Sequence, residues 1–279
     1  DVYDLKYIHC DVLVVGAGIA GILAAKNAAK NNLKTLLVDE KNEIGGATIY
    51  QNKEFNKIEN QNSSDWLKKE IQELKNVKNL EVKVRTSVAA YHGYNYLLAR
   101  ENLTDHLEKK DKQGKIRQRL LKIRAKKVIL ATGALERPLI FNNNDRPGIM
   151  LSSAVNKYAD FYGVVCGQKT VFFTNNDSAY ESAFCLHNKG IKVEAIIDIR
   201  DNSNSKIVKA VEDAGIKTHW SYTVVDTSGY KRLKNISVMK LSNDGMSVTG
   251  NRIEISCDCL GVSGGWTPAV HLFTQSGGK

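Results

Sequence analysis

The stretch DVLVVGAGIAG, residues 11–21, decides the fold of this chain. It joins an apolar run to three glycines in the spacing GxGxxG, and residues 22–30 then combine Ala and Lys, which favour helix. A second apolar run at 34–38 ends in Asp39 and Glu40. A strand, a glycine turn, a helix and an acid-ended strand in this order form the βαβ fingerprint of a dinucleotide-binding fold.

Each of the three glycines has a mechanical reason. Gly16 permits the tight turn, Gly18 lets the backbone approach a pyrophosphate, and Gly21 lets the helix pack close to the strand. The helix N-terminus offers unpaired N–H groups and a partial positive charge to the phosphates. Asp39, with Glu40 beside it, is expected to bind a ribose diol. Negative charge here disfavours a 2′-phosphate, so NAD or FAD is favoured over NADP.

Composition narrows the class of protein. The chain has 279 residues, of which 42% are hydrophobic, so it can form one large domain or two ordinary ones with a substantial core. We expect no signal peptide at its N-terminus and no membrane contact, since no apolar run approaches the roughly 18 residues of a span. The net charge is +10, but the lysines are spread along the chain without a nucleic-acid module. We therefore predict a solvated lysine surface and no nucleic-acid partner.

Five cysteines without disulfide spacing favour a reducing compartment, so the predicted location is cytoplasmic.

A second βαβ pattern follows later in the chain, with strands at 170–174 and 191–198 around a helix at 178–188. Antiparallel strand patterns follow each βαβ pattern. Between the two patterns, residues 51–64 are rich in Asn, Gln and Lys and are predicted as a surface loop, and residues 66–74 as a helix. The order of these elements indicates a doubled α/β architecture.

The predicted fold class is α/β, with two Rossmann-like (FAD/NAD(P)-binding) three-layer units, the second inserted into the first. Residues 1–148 with 258–279 are predicted as the dinucleotide-binding domain, and residues 149–257 as a second, degenerate nucleotide-fold domain.

Six segments resemble the alpha subunit of heterotetrameric sarcosine oxidase, and the resemblance covers essentially the whole chain. The last four are specific within the two-dinucleotide-fold flavoproteins. The segments are residues 10–18, 117–120, 131–138, 143–148, 174–180 and 264–268.

The resemblance implies a function. The family's complex oxidises sarcosine, with oxygen and tetrahydrofolate, to glycine, formaldehyde equivalents and peroxide. Its partners are beta, gamma and delta subunits, and the amine-oxidising flavin sites belong mainly to the beta subunit and the interface. The alpha subunit holds NAD non-covalently in this region, and a folate-handling half follows it. Because the chain stops at 277–279, it is expected to be a fragment, and the fragment alone is expected to be inactive.

The resemblance also implies further cofactor-binding positions. Gly45 and Gly46 match a pair of glycines that brings a loop close to the cofactor. Val88 is expected to contact the adenine through its backbone. A small-residue turn over the dinucleotide is formed by Ala131, Thr132 and Gly133. For the last three, a plain strand end is the alternative.

The second βαβ pattern lacks the glycines that a phosphate cradle needs. Residues 174–180 read TNNDSAY, and no glycine permits close backbone approach. Asp177 is expected to cap the helix that begins near Ser178, where its carboxylate takes the donors of a phosphate and repels it. The chain is therefore predicted to bind one dinucleotide.

No catalytic or metal-binding residue is assigned. The chain has no Cys-x-x-Cys pair of the kind that disulfide reductases use. Alternation along a predicted strand at 252–263 puts Cys257 and Cys259 on one face, and buried cysteines are the expected interpretation. A metal there would need two further ligands, for which His271 is the nearest candidate.

Several alternatives stay open. Trp266 and His271 lie either near the redox end of the dinucleotide, at a subunit interface, or in a packed return segment. Arg137 and Arg146 either contact phosphate or anchor the connection between the units. For the whole chain, the alternative function is an FAD- or NAD-dependent amine or amino-acid dehydrogenase subunit of the opine oxidase or hydroxyproline dehydrogenase type. A third is a binding module without redox chemistry.

Overall fold

The computed structural model describes residues 2–50 and 56–278. Contacts between Cα atoms divide the described residues into two compact units. Unit 1 comprises those within Asp1–Ile49, Lys57–Ala134 and Pro268–Lys279, and unit 2 those within Tyr50–Asn56 and Leu135–Thr267.

The strands and helices up to residue 130 all lie in unit 1. In chain order they are β1 (Val2–Val15), α1 (Ile19–Lys30), β2 (Thr35–Val38), β3 (Lys57–Ile58), β4 (Gln61–Asn62), α2 (Ser63–Leu74), β5 (Leu80–Lys83), β6 (Thr86–His92), β7 (Tyr96–Asn102), α3 (Lys109–Lys112) and β8 (Ile116–Leu130).

Six strands of unit 1 form one sheet in the order β5-β2-β1-β8-β7-β6. The strands β5, β2, β1 and β8 are parallel, whereas β8, β7 and β6 form an antiparallel meander. The parallel order with a crossover helix after β1 is the Rossmann-like arrangement that the glycine fingerprint predicts. The predicted α/β class with a Rossmann-like sheet is confirmed.

The first strand is longer than its apolar run. Residues 11–15 were expected as the strand, but β1 begins at Val2, because its N-terminal half pairs with β8 from Val2 onward. The predicted loop at 51–64 is wrong from residue 57, where β3 and β4 pair as a hairpin and α2 begins at Ser63. Residues 51–55 lie outside the described residues.

From residue 134 the chain contributes the remaining elements. They are β9 (Ala134–Glu136), β10 (Ile149–Leu151), α4 (Ser152–Asp160), β11 (Thr170–Thr174), α5 (Ser178–Asn188), β12 (Val193–Asp198), α6 (Lys206–Asp213), β13 (Thr218–Trp220), β14 (Tyr222–Ser228), β15 (Asn235–Leu241), β16 (Val248–Ser256), β17 (Cys259–Ser263), β18 (Trp266–Pro268) and α7 (His271–Gln275).

Unit 2 contains a parallel sheet of five strands, β10-β17-β11-β12-β13, and an antiparallel sheet, β14-β15-β16. One apolar cluster packs the helices α4, α5 and α6 on one face of the parallel sheet, and a second cluster packs the antiparallel sheet on the other. Within the described part of the chain, no helix is both long and apolar enough to cross a membrane.

The predicted strand at 252–263 is two strands. β16 ends at Ser256 and β17 begins at Cys259, and between them the Asp258 carboxylate accepts hydrogen bonds from the backbone N–H groups of Gln168 (3.1 Å) and Lys169 (2.8 Å). The chain passes from the antiparallel to the parallel sheet at this point.

The two thiols beside this break therefore do not share a face. Cys257 lies in the cluster under the antiparallel sheet and Cys259 in the cluster under the helices. The expectation of one face is wrong because alternation does not continue through the break. Their burial is confirmed, at 1% and 0% exposure, and burial raises both pKa values to about 12.

Candidate functional site

The glycine turn after β1 has the geometry of a close-packed phosphate loop. Gly16 has φ +99°, and a Cβ there would overlap the carbonyl oxygen of Ala131 at the end of β8. A Cβ on Gly21 would overlap the carbonyl oxygen of Gly16, so this glycine lets α1 sit against the turn. Side chains at these two positions are excluded by the protein itself.

Gly18 differs from both. Its φ is −74°, and no described atom lies within 4 Å of a Cβ built on it. Gly18 is also the residue before α1, and no side chain among the described residues caps that helix. An N-terminus with open space and uncapped N–H groups is the arrangement that binds phosphate oxygens.

Asp39 connects the end of β2 to the glycine turn. Its Oδ2 accepts a hydrogen bond from the backbone N–H of Ala17 (2.6 Å), and its Oδ1 accepts one from Lys41 (2.8 Å). A carboxylate oxygen can accept two hydrogen bonds, and neither oxygen of Asp39 has a second donor within residues 2–50 and 56–278. Glu40 beside it is exposed.

The paired glycines lie against the same turn. The N–H of Gly45 donates to the carbonyl of Ala17 (2.7 Å), and a Cβ on Gly46 would lie 2.9 Å from the Cα of Gly18. Gly46 has φ +60° and begins a 3₁₀ turn, Gly46–Ile49. The loop after β2 and the glycine turn therefore meet backbone to backbone.

The small-residue turn closes the other side. The N–H of Ala131 donates to the carbonyl of Val15 (2.8 Å), which sets the end of β8 beside Gly16. Thr132 Oγ1 donates to the carbonyl of Ala269 (2.7 Å), and the N–H of Ala269 donates to Gly133 (3.0 Å). These bonds fix the turn and the segment that leads into α7 as parts of one site.

Val88 is the predicted position that these contacts do not reach. It lies within β6, opposite Ala99 of β7, and its side chain packs on the apolar cluster of unit 1. The loop of Asp39 is instead bordered by Arg85 and Thr86, whose N–H groups donate to Lys41 and Asp39 (2.7 Å each). Residue types could not predict this pair, because both bonds are made by the backbone.

Ala17 was also missed. As one of the unnamed positions of GxGxxG it has no required side chain, yet its N–H and carbonyl join Asp39 and Gly45 to the turn.

The residues of this site fit a dinucleotide. The chain packs tightly at Gly16 and Gly21 and stays open at Gly18 and Gly133, where no described atom lies within 4 Å of a built Cβ. Open glycines on the approach side and closed glycines on the packing side are what a pyrophosphate cradle requires.

The corresponding turn in unit 2 is filled by polar side chains. Asn176 Oδ1 accepts from the N–H of Ser178 (3.0 Å), the first residue of α5, and Asn176 Nδ2 donates to Ser263 Oγ (3.1 Å). Trp266 Nε1 donates to Ser178 Oγ (3.2 Å). The group that caps α5 is therefore Asn176, and the prediction that Asp177 caps it is wrong.

The Asp177 carboxylate points elsewhere because a guanidinium attracts it. Arg200 Nη1 lies 2.8 Å from Asp177 Oδ1, and Ser203 Oγ donates to the same oxygen (3.3 Å). Partial burial, the largest single effect, raises the pKa of Asp177, but the hydrogen bonds from Arg200, Ser205 and Ser203 and the charge of Arg200 together outweigh it and leave the pKa below its usual value.

The acid at the end of β12 is fully buried. Asp198 occupies the place in unit 2 that Asp39 occupies in unit 1, after the second strand of the βαβ unit. Its oxygens accept from Tyr180 Oη (2.8 Å) and from the backbone and guanidinium of Arg200 (2.8–3.2 Å). Unlike Asp39, this acid has no exposed surface for a ribose.

Arg137 and Arg146 make different kinds of contact. Within unit 2, Arg146 binds Thr227 Oγ1 (3.2 Å) and the carbonyl of Gly229. Arg137 pairs through its backbone with Gly264 and Gly265.

The chain is similar in sequence to a known protein family and to individual proteins. Residues 10–279 match the family model described as pyridine nucleotide-disulphide oxidoreductase. The chain is 39% identical over 279 residues to the sarcosine oxidase subunit alpha of Corynebacterium sp. (strain P-1), covering 99% of this chain and 28% of that protein. The chain is 34% identical to the same subunit of Rhizobium meliloti (strain 1021), and this match covers 100% of this chain and 26% of that protein. The predicted resemblance is confirmed, and the chain spans about a quarter of these relatives' length.

Two solved structures are similar in fold. Thioredoxin reductase of T. acidophilum superposes with a TM-score of 0.71 at 18% identity, covering 97% of this chain and 82% of that one. L-proline dehydrogenase from P. horikoshii superposes with a TM-score of 0.68 at 22% identity, covering 99% of this chain and 46% of that one. These two structures support the fold, and the family match supports a dinucleotide cofactor of the FAD or NAD(P) class.

Proposed function

The chain belongs to the pyridine nucleotide-disulphide oxidoreductase family, and from that premise we propose that its unit 1 binds one molecule of NAD in an oxidoreductase subunit. The observation that carries the proposal is the turn at Gly18, which is open to a ligand and bordered by an uncapped helix. Gly16, Gly18, Gly21, Gly45 and Gly46 form the proposed cradle.

The remaining proposed contacts surround this cradle. Asp39, with Glu40 beside it, binds the adenosine ribose through the acceptor positions that Ala17 and Lys41 leave. Their charge opposes a 2′-phosphate, which favours NAD or FAD over NADP. Ala131, Thr132 and Gly133 cover the dinucleotide, and Val88 is retained as the proposed adenine contact. When bound, a dinucleotide supplies a two-electron carrier.

The proposed assembly oxidises sarcosine to glycine, with oxygen and tetrahydrofolate. The proposal rests on identities of 34% and 39% to sarcosine oxidase alpha subunits over the whole chain. Its proposed partners are beta, gamma and delta subunits, which hold the flavins that react with the amine. This chain then contributes no catalytic residue. Free cysteines are consistent with the proposed cytoplasmic location.

We also propose that unit 2 is a degenerate nucleotide fold inserted into the first. Unit 1 includes residues on both sides of Leu135–Thr267, which supports the insertion. The capped helix at Ser178 and the buried Asp198 leave unit 2 without the two groups that hold a dinucleotide in unit 1.

The test is release of the nucleotide from the full-length protein by denaturation, followed by mass identification. The proposal expects NAD, and no flavin spectrum from this subunit once it is separated from its partners. A flavin released from this subunit, with sarcosine-dependent bleaching in the subunit alone, would support the alternative of a self-sufficient amine dehydrogenase.

A further inference from the structure

One face of the unit 1 sheet is apolar although it is exposed. We call it the outer face and define it by Tyr3, Leu5 and Tyr7 of β1 and Leu120, Lys122 and Arg124 of β8. Tyr3 and Tyr7 are 62% and 64% exposed, and Leu5 and Leu120 are 44% and 40% exposed. Leu5 and Leu120 are direct neighbours in the parallel register. The apolar surface is therefore continuous across two strands.

The opposite face of the same strands is the core of unit 1. Ile8 of β1 and Leu121 and Ile123 of β8 are buried in one apolar cluster. Because side chains alternate along a strand, the sheet already has a filled core on one side. The apolar residues of the outer face are surplus to that core, and contiguous exposed apolar area of this kind is typical of interaction sites.

The outer face also carries cations, and the Asp105 carboxylate meets it only at its edge, where it accepts a hydrogen bond from Gln118 Nε2 (2.8 Å). Lys122 Nζ lies 5.2 Å from the centre of the Tyr7 ring, and the Arg124 guanidinium lies 5.1 Å from that of Tyr96. Two carboxylates of these strands, Asp4 and Glu101, lie on the other face, where both contact Arg119. The third, Asp11, lies beyond the outer face along β1 and pairs with Lys126 (2.7 Å). Only alternate residues of each strand lie on the outer face. Among the described residues these are positions 3, 5, 7 and 9 of β1, 96, 98, 100 and 102 of β7, and 118, 120, 122 and 124 of β8, and none of them is Asp or Glu.

We propose that the outer face is the docking surface for a protein partner that presents an apolar area bordered by carboxylates. Tyrosine and arginine around an aliphatic centre are the residue types that dominate the energetics of protein interfaces. The proposal rests on the part of the proposed function that places the chain in an assembly with other subunits.

Charge favours such a protein partner over a second copy of this chain and over a nucleic acid. A second copy would bring Lys122 and Arg124 against the same cations, since a two-fold interface is self-complementary. A nucleic acid would satisfy the cations but would leave Leu5 and Leu120 without apolar contact. A partner with carboxylates beside an apolar area satisfies both, and its charge also speeds association.

The experiment uses the full-length protein with the partners that it retains from its own cells. Hydroxyl-radical footprinting compares the assembly with the separated protein at Tyr3 and Tyr7, with the exposed Tyr230 of unit 2 as the internal control. We expect modification of Tyr3 and Tyr7 to fall at least about 5-fold in the assembly, and that of Tyr230 to stay unchanged. A carbodiimide, which joins amines to carboxylates, should link Lys122 to an Asp or Glu of the partner.

The matched variants reverse two charges each. Lys122→Glu with Arg124→Glu should weaken partner binding by about 30-fold or more, the loss expected for an interface hot spot. Lys206→Glu with Lys209→Glu, at exposed positions of α6, makes the same charge change and should bind as the wild type. Melting temperature and nucleotide content show whether both variants fold.

Several results would overturn the inference. These are equal modification of Tyr3 and Tyr7 in the assembly, wild-type binding by the Lys122/Arg124 variant, self-association through this face, or protection that nuclease removes. Protection of Tyr3 and Tyr7 in an assembly that does not oxidise sarcosine would refute the proposed function and leave the docking surface intact. Sarcosine turnover with an unprotected face would do the reverse.

Discussion

Replacing Gly18 by Ala separates ligand binding from folding at a single methyl group. The φ of −74° suits alanine, and the added Cβ meets no described atom within 4 Å. The same methyl group would stand where the backbone must approach a pyrophosphate. We therefore expect Gly18→Ala to fold normally and to bind the dinucleotide weakly.

The magnitudes differ enough to be measured. Alanine is a poorer residue than glycine before a helix, which costs about 0.5–1 kcal/mol, or a melting temperature lower by about 1–4 °C in a chain of this size. Displacing the phosphate from the uncapped N–H groups of α1 removes one or two hydrogen bonds to a charged group, each about 1.5–3 kcal/mol. At about 1.4 kcal/mol per tenfold, the dissociation constant should rise by about 10-fold to more than 100-fold.

The assay is a titration of nucleotide-free protein with NAD, alongside the melting curve of each variant. Gly93→Ala is the matched control, because Gly93 also avoids the left-handed region and also has no described atom within 4 Å of a built Cβ, but lies outside the cradle. It should bind as the wild type. Unchanged affinity in Gly18→Ala, or equal loss in both variants, would refute the reasoning.

Three further predictions concern folding and reactivity. Gly16→Ala should lower the melting temperature by about 4 °C or more in calorimetry, because φ +99° costs an L-residue about 1–2 kcal/mol before the overlap with Ala131 is counted; an unchanged value would contradict the packed turn. The folded pKa of Asp177 lies below its ordinary value of 3.8, so its contribution to stability is present above that value and is lost as the pH falls through the folded pKa. In denaturant titrations Asp177→Asn should therefore be less stable than the wild type at pH 6, with a difference that shrinks below about pH 4; a constant difference would argue against the ion pair with Arg200. Cys257 and Cys259 should resist iodoacetamide at pH 8 in the folded protein and react on unfolding, because burial raises their pKa values to about 12; rapid native labelling would contradict the burial.

The sequence predicted the parts of unit 1 whose side chains, or absence of side chains, have a fixed geometric role. Gly16 and Gly21 lie where the spacing indicated, each against backbone that a Cβ would overlap. Asp39 follows β2 as expected. Its two bonds to Ala17 and Lys41 could not be predicted, since backbone donors leave no trace in residue type.

Predictions failed where a neighbour in space overrides a local pattern. Asp177 has the residue type of a helix cap, but Arg200, 23 positions later, binds its carboxylate and leaves the cap to Asn176. The alternation that put Cys257 and Cys259 on one face ends at Asp258, where the chain changes sheets. In both cases the competing partner is distant in sequence, so a pattern read within one segment could not include it.

The number of nucleotides bound per chain tests the central claim most directly. It is measured by denaturing release from full-length protein that has been saturated with NAD and freed of excess ligand. The account predicts one dinucleotide per chain, lost on Gly18→Ala and retained when Asn176, the cap of α5, is replaced by alanine. Two dinucleotides per chain, or one that survives Gly18→Ala and disappears with Asn176→Ala, would contradict it.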